Sequence, residues 1–417
     1  MTVAPSRLSA NHWPGLHEVP SGPRTAISAR VARGLFHQAV NRLDVTVSIP
    51  AWDVTWGKGG PEMVLHRPEE FFARIGRDQL IGFGEAYLTG AWDAEDLGGF
   101  LGVLAAEMSD LVPKPLQRAR ALVVKRPPRE QVSSKDNSQD NIAHHYDLSN
   151  DLFELFLDPS MSYSSALFEG DPVLGRAEDL LAAQHRKIDR MLDEAGVGEG
   201  TRLLEIGSGW GELAIRAAAR GATVRTITLS VEQQQLARDR VEEAGFTDRV
   251  DVDLCDYRDV TGTYDAVLSV EMIEAVGWQY WQTYFETIDR VLAPGGRVCI
   301  QAITLPHDRM LATRNTYTWI HKYIFPGGSL PSVQVLDEVT RAHTSLRMHE
   351  PFSLGLHYAQ TLRLWDRAFL ADPQQVLALG FDETFLRMWH FYLEYSRAGF
   401  SSGYIDDHQL TFTREGA

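Results

Sequence analysis

Two patterns of apolar and polar positions divide the chain. From about residue 200 to 305, short strand-like runs alternate with stretches of helical periodicity. Arg202–Ile206, Thr223–Leu229, Val250–Leu254, Asp265–Val270 and Arg297–Ile303 read as strands. Gly211–Ala219, Val231–Ala244 and Trp278–Val291 read as the helices between them. Such alternation predicts parallel strands joined by crossover helices. The result is an open α/β sheet whose ligands bind beyond the carboxyl ends of its strands. Leu180–Ala195 reads as one more helix, with a charged and solvated face.

The first part of the chain follows another rhythm. Leu43–Pro50 alternates as a strand, and Glu62–His66 is its candidate partner. Gly82–Trp92 is rich in glycine and aromatics and reads as a compact loop-helix, while Asp96–Leu111 has helical periodicity. Residues 127–141, PPREQVSSKDNSQDN, carry two prolines, many polar residues and no apolar period. The expected organisation is a smaller α+β domain over residues 1–127, a linker over 128–140 and an α/β domain over 141–417.

Composition changes this picture in three places. The chain has 417 residues, 44% hydrophobic and 23% charged, as soluble globular chains do. Its net charge of −16 counts against a nucleic-acid partner, which needs a basic surface to neutralise phosphates. Residues 1–140 hold equal numbers of acidic and basic residues, so the acidity lies wholly in the second domain. Within that neutral first part, residues 111–135 carry seven basic residues against one acid. There Leu116, Ala119, Leu122 and Val123 fall on one helical face. An amphipathic basic segment of this kind suits an anionic lipid surface. Cys255 and Cys299 form no CxxC pair, and no apolar leader or spanning run is present. The expectation is a cytoplasmic protein that touches the inner face of a membrane peripherally.

The strongest chemical motif is Leu203-Leu-Glu-Ile-Gly-Ser-Gly-Trp-Gly211. A strand runs into glycines at 207, 209 and 211, and a helix follows. Glycine lets the backbone turn sharply and approach a ligand closely. The spacing is GxGxG, and no Lys-Ser/Thr pair follows, so neither a dinucleotide fingerprint nor a phosphate loop is present. The motif resembles the first motif of S-adenosylmethionine-dependent methyltransferases, in which Gly207 and Gly209 would pass beside the cofactor. The second strand ends without an acid, so Thr228, Ser230 and Gln233 are the polar groups left to hold a ribose. After the third strand, Asp256 is placed to accept from an adenine amino group and Tyr257 to stack on its ring.

Several motifs in order resemble one family, the cyclopropane-fatty-acyl-phospholipid synthases and mycolic-acid methyltransferases. They are Ala143–Phe153 (AHHYDLSNDLF), Met161–Ser165 (MSYSS), the glycine loop, Leu229–Gln233 (LSVEQ), Glu271–Gly277 (EMIEAVG) and Tyr323–Ser332 (YIFPGGSLPS). Thr226–Pro331 and Arg397–Tyr404 further resemble the actinobacterial enzymes that make 10-methylene, tuberculostearic-type acyl chains. The resemblance implies a Rossmann-like class I methyltransferase fold with helices on both faces of a mostly parallel sheet. It also implies methyl transfer from S-adenosylmethionine to a cis double bond of a phospholipid acyl chain. Tyr146 and Ser164 would join the cofactor site. By position, a bicarbonate ion would be held by Ser165, Glu274, Gln301, the backbone of Ile303, and Tyr358. The commonest pattern has cysteine at Ser165 and histidine at Gln301, which puts that ion in question.

The chemistry needs a cation-stabilising, water-free pocket and a base. Aromatic faces serve the first need, with Tyr317, Tyr323 and Phe325 the candidates to line the acyl chain. For the base, the alternative to bicarbonate is Glu274, directly or through water. Glu271 ranks below it, as a local cap or pairing partner. If hydride shifts before the proton leaves, the product is an exocyclic methylene; if it does not, a cyclopropane closes. The methylene is favoured, and a separate reductase would complete a 10-methyl branch. The adjacent His144 and His145 lack metal-chelating spacing, so no metal is expected. The rival readings are a ring-forming synthase, a small-molecule methyltransferase, and a lipid-binding protein that keeps the fold without catalysis. Oligomeric state stays open, a homo-oligomer included.

Overall fold

The computed structural model of the chain describes residues 13–107 and 149–414. The basic stretch 111–135, the linker 128–140, the His144–His145 pair and Tyr146 lie outside the described residues.

By packing, the chain forms two units, and the division is not the linear one expected. Tyr317–Ile324 and Trp365–Tyr404 group with the first part of the chain. The physical reason is visible in the helix Glu383–Ser401. It buries Phe385, Leu386, Trp389, Phe391, Leu393 and Phe400 around much of its circumference, so it needs apolar partners on several sides. Within the first unit, buried Arg387 donates to Tyr87 O at 2.8 Å and pairs with Asp93 at 2.6 Å.

The first unit holds a four-stranded sheet, ordered β2-β1-β3-β4. The strands are β1 (Thr46–Ile49), β2 (Val54–Gly57), β3 (Glu62–Leu65) and β4 (Trp92–Ala94). As expected, the third pairs with the first, and the register is parallel. The helix Pro68–Leu88 begins on a proline, whose missing N–H costs nothing at a helix start. The backbone breaks at Gln79 (φ 54°), and the Gly82–Trp92 stretch lies in the second helical segment, which runs to Leu88 before the turn into β4. Buried Phe71, Phe83, Trp92, Phe100 and Phe391 form the aromatic heart of the unit.

The second unit carries the large sheet, ordered β7-β6-β5-β8-β9-β12-β10. Its parallel strands are β5 (Arg202–Ile206), β6 (Thr223–Thr228), β7 (Val250–Leu254), β8 (Tyr264–Val270) and β9 (Leu292–Thr304). Side chains alternate across the pleat. Leu203, Val224 and Val252 meet the helices Leu180–Glu194, Glu212–Ala219 and Val231–Glu243 on one face. Leu204, Ile227 and Val267 meet Trp281–Val291 and Val333–His343 on the other. β10 (Leu346–Met348) and the short β11 (Phe352–Ser353) pair with β12 (Asp406–Arg414). β12 runs antiparallel to β9, with Asp407 opposite Ile303 and Gln409 opposite Gln301. It thus brings its first residues to the carboxyl ends of the parallel strands.

Candidate active site

The glycine loop leaves β5 with Gly207 at φ +98° and Gly209 at φ +48°. Gly207 N and Ser208 N both donate to Ile227 O, at 2.9 and 3.0 Å, which clamps the loop onto β6. Thr226 Oγ1 donates to Ser208 Oγ at 2.8 Å, and Trp210 Nε1 to Asn150 Oδ1 at 2.8 Å. A Cβ on Gly207 would sit 2.4 Å from Met272 Cγ. A Cβ on Gly209 would meet no atom within 4 Å. One glycine is thus demanded by packing and the other by conformation, beside space that a ligand can approach. Glu205, just before the loop, is buried, and desolvation pushes its pKa up to about 8.

At the end of β6, Thr228 Oγ1 donates to Gln233 Oε1 at 2.8 Å and accepts from Ser230 N at 3.1 Å. Ser230 Oγ caps the next helix by accepting from Gln233 N at 3.1 Å. These three residues thus form one local hydrogen-bonded group. The loop after β7 is braced by local contacts. Asp256 accepts from Arg258 N at 2.9 Å and Nε at 2.8 Å on one oxygen, and from Arg258 Nη2 on the other. Arg258 thus holds the carboxylate in a tight local turn, with acceptor capacity left on Oδ2. Tyr257 packs edge-on against Tyr284 with ring centroids 5.2 Å apart, and burial raises its pKa to about 12.

The helix Leu180–Glu194 keeps His185 and Arg186 half-exposed on its charged face and buries another. Leu180, Ala183, Gln184, Lys187, Ile188 and Met191 are all buried and lie on one face. Gln184 Nε2 donates to Ser164 O at 2.9 Å, and Lys187 Nζ to Ser164 Oγ at 2.7 Å. Desolvation pulls the Lys187 pKa down, against the opposing pull of Glu271, Asp407, Asp158 and Glu205. Lys187 is therefore a buried amine set among acidic groups. Its sequence signal was its place on the apolar stripe, four residues after Ala183 and four before Met191.

The groups predicted to hold an anion do come together, around a residue that sequence reasoning ranked low. Glu271 Oε1 accepts from Ser165 N at 3.0 Å and from Gln301 Nε2 at 2.9 Å. Glu271 Oε2 accepts from Tyr358 OH at 2.7 Å. Gln301 Nε2 also donates to Asp407 Oδ2 at 2.9 Å, and Gln301 Oε1 accepts from Gln409 at 3.2 Å. Ser165 Oγ donates to Ala166 O at 3.0 Å. Glu274 Oε1 accepts from Ile303 N, while its Oε2 is buried with no partner among the described residues.

Burial first, and the Glu271 charge second, push the Glu274 pKa up to about 8. A carboxyl group raised in this way holds its proton more tightly than an exposed glutamate does. Desolvation also raises Glu271, but Tyr358, Ser165, Lys187 and Gln301 all favour its charged form. Asp407 is raised well above its ordinary value by burial and by both glutamates.

The aromatics expected to line an acyl chain fall in two units. Tyr323 and Tyr317 belong to the first. Tyr323 OH donates to Glu85 Oε1 at 3.0 Å, which makes it part of a buried polar network. Tyr317 lines a cavity of about 310 Å³ with Arg77, Asp78, Ile81 and Lys322. Phe325 belongs to the second unit, where its carbonyl accepts from Gly328 N at 3.3 Å.

With this geometry in place, comparison with known proteins is informative. The profile of the mycolic acid cyclopropane synthetase family matches residues 133–410. The chain is 51% identical to the tuberculostearic acid methyltransferase of Mycobacterium tuberculosis, over the full length of both. It is 33% identical to the cyclopropane-fatty-acyl-phospholipid synthase of Escherichia coli, over 85% of this chain and 88% of that one. Among solved structures, the mycolic acid cyclopropane synthase CmaA1 complexed with SAH and CTAB superposes with a TM-score of 0.59. There the identity is 32%, and the match covers 66% of this chain and 97% of that one.

Proposed function

The chain belongs to the mycolic acid cyclopropane synthetase family of S-adenosylmethionine-dependent methyltransferases. From that premise we propose that it methylates the cis double bond of an oleoyl-type acyl chain in a phospholipid, giving a 10-methylene chain. The observation that carries this reading is the position of Met272. Its side chain meets the Cβ position of Gly207, and its backbone neighbours are Glu271 and, two residues on, Glu274. The methyl-donor loop and the acid cluster are therefore adjacent in space. The nearly full-length likeness to a tuberculostearic acid methyltransferase supports the acyl substrate.

When bound, S-adenosylmethionine supplies an electrophilic methyl group on sulfonium. Gly207, Gly209, Thr228, Gln233 and Asp256 would hold it, the last with its carboxylate oriented by Arg258. The residues around Glu271 do not fit a bicarbonate ion as expected. The donors of Ser165 N, Gln301, Ile303 N and Tyr358 are already engaged by carboxylates of the chain itself. A second anion there would face Glu271 and Glu274 at close range.

The acyl chain is held by apolar and aromatic walls that exclude water and face a transient cation. The basic stretch 111–135 is the element that meets anionic headgroups, and a separate reductase completes the branch. Co-sedimentation with phosphatidylglycerol vesicles tests the first of these. Loss of binding on neutralising the basic residues of 111–135 is expected, and unchanged binding would remove the segment from the account. For the central reading, the enzyme is incubated with methyl-labelled S-adenosylmethionine and dioleoyl phospholipid vesicles, and the fatty acids are analysed as methyl esters. Label in an acyl chain one carbon longer than oleate is expected. Absence of labelled acyl chains would sink the reading.

A further inference from the structure

The inference rests on the methyl-transfer reading above and concerns the proton that must leave. An acceptor in a dry pocket has to be held at a fixed place by donors, because solvent does not stabilise its charge. Three donors converge on the Glu271 carboxylate: Ser165 N and Gln301 Nε2 on one oxygen, Tyr358 OH on the other. These belong to the residues expected to hold a free planar oxyanion. In this chain a tethered carboxylate takes their hydrogen bonds instead.

The backbone supports the same reading. Glu271 has φ +50°, in the left-handed region that a glycine enters freely and a glutamate rarely does. Glu271 N donates to Gln301 O at 2.8 Å, which holds the residue in this conformation. The chain thus keeps a long acidic side chain at a strained position, and the strain delivers its carboxylate to the three donors. The surroundings hold the two neighbouring acids differently: three donors reach Glu271, while Ile303 N reaches Glu274. Of the buried carboxyl groups near Lys187, Glu271 exerts the largest pull on its charge. Burial and the Glu271 charge raise the Glu274 pKa beside it.

We propose that Glu271 is a built-in replacement for a free anion: its carboxylate accepts the proton from the added methyl group, and turnover needs no bicarbonate. The alkene π pair forms the new C–C bond as the sulfonium C–S bond breaks and its electron pair stays on sulfur. The neighbouring carbon becomes cationic. Hydride then moves to it from the methyl-bearing carbon, which takes over the positive charge. Glu271 removes a proton from the methyl group, and that C–H pair becomes the exocyclic double bond. The neutral carboxyl group returns its proton to water after product leaves.

The test uses the full-length enzyme, S-adenosylmethionine and dioleoyl-phosphatidylglycerol vesicles, in CO2-free buffer with and without added bicarbonate. Wild-type turnover is expected to be equal in both. Glu271→Gln keeps the shape but loses the base, so turnover falls by roughly 10²–10⁴-fold in either buffer. Glu271→Gly relaxes the backbone and frees the three donors; its turnover is low without bicarbonate and rises when the ion is added. Thermal melting and sinefungin binding confirm that each variant folds.

Three outcomes overturn the proposal. They are wild-type turnover that falls in CO2-free buffer and returns with bicarbonate, a folded Glu271→Gln enzyme with wild-type turnover, and a folded Glu271→Gly enzyme that bicarbonate does not rescue. Wild-type enzyme that methylates no lipid in either buffer defeats the underlying methyl-transfer reading instead.

Discussion

Alanine at Gly207 and alanine at Gly209 perturb one loop in two distinguishable ways. At φ +98° an L residue in place of Gly207 carries a backbone cost of roughly 1–2 kcal/mol. The new Cβ would also lie 2.4 Å from Met272 Cγ and 2.9 Å from its Sδ. Methionine is adaptable, but shifting it in a packed site costs on the order of 1–3 kcal/mol. Gly207→Ala should therefore lose roughly 2–5 kcal/mol of stability. At Gly209 the φ is +48° and the Cβ meets no protein atom within 4 Å, so only the backbone cost of roughly 1–2 kcal/mol remains. That Cβ does enter the space assigned to the cofactor.

Urea unfolding of the ligand-free proteins measures the first effect, and calorimetric titration with S-adenosylmethionine the second. Gly209→Ala should lose only the backbone cost of roughly 1–2 kcal/mol in stability yet bind at least about tenfold more weakly, a loss of roughly 1.4 kcal/mol. Wild-type affinity in Gly209→Ala would refute the placement of the cofactor on this loop. Wild-type stability in Gly207→Ala would refute the packing argument.

Glu205→Gln and Glu274→Gln each remove a carboxyl group whose folded pKa, about 8, lies above its ordinary 4.5. The folded state then binds the proton more tightly, so wild-type stability falls as pH rises from 4.5 through 8, by up to about 1.4 kcal/mol per pH unit for each group. Urea midpoints between pH 6 and 9 should show a shallower decline in each variant, and parallel curves would contradict the burial argument. Lys187→Met removes the cation from among Glu271, Asp407, Asp158 and Glu205. At pH 8 it should cost roughly 3–5 kcal/mol, the scale for stranding buried charges, and less at lower pH as the acids take up protons. A variant as stable as wild type at pH 8 would show that Lys187 does not neutralise the cluster.

Much of the second unit was legible because its signals are local. The strands at 202–206 and 250–254 match the expected limits, and the other strands and helices of the α/β run overlap theirs. Ser165, Gln301, Ile303 and Tyr358 do converge. What stayed hidden depends on contacts distant in sequence. Asp407 reaches the site only because β12 runs antiparallel beside β9, a pairing that no periodicity announces. Glu271 reads as a local cap because a positive φ is invisible in a string of residue types. Residue type does not set Lys187 apart from its solvated neighbours, because lysine is rarely buried; only its place on the apolar stripe does. The regrouping of 365–404 with the first unit likewise depends on the apolar circumference of the helix Glu383–Ser401, not on any break in composition.

The most direct test of the account is the chemical form of the product. Purified enzyme is supplied with S-adenosylmethionine and dioleoyl phospholipid vesicles, and the released methyl esters are examined by mass spectrometry before and after mild hydrogenation. The account predicts a one-carbon-longer ester that takes up one equivalent of hydrogen to give a saturated chain branched at carbon 10. A one-carbon-longer ester that resists mild hydrogenation would be a cyclopropane. It would contradict the proposal that hydride shifts before the proton leaves.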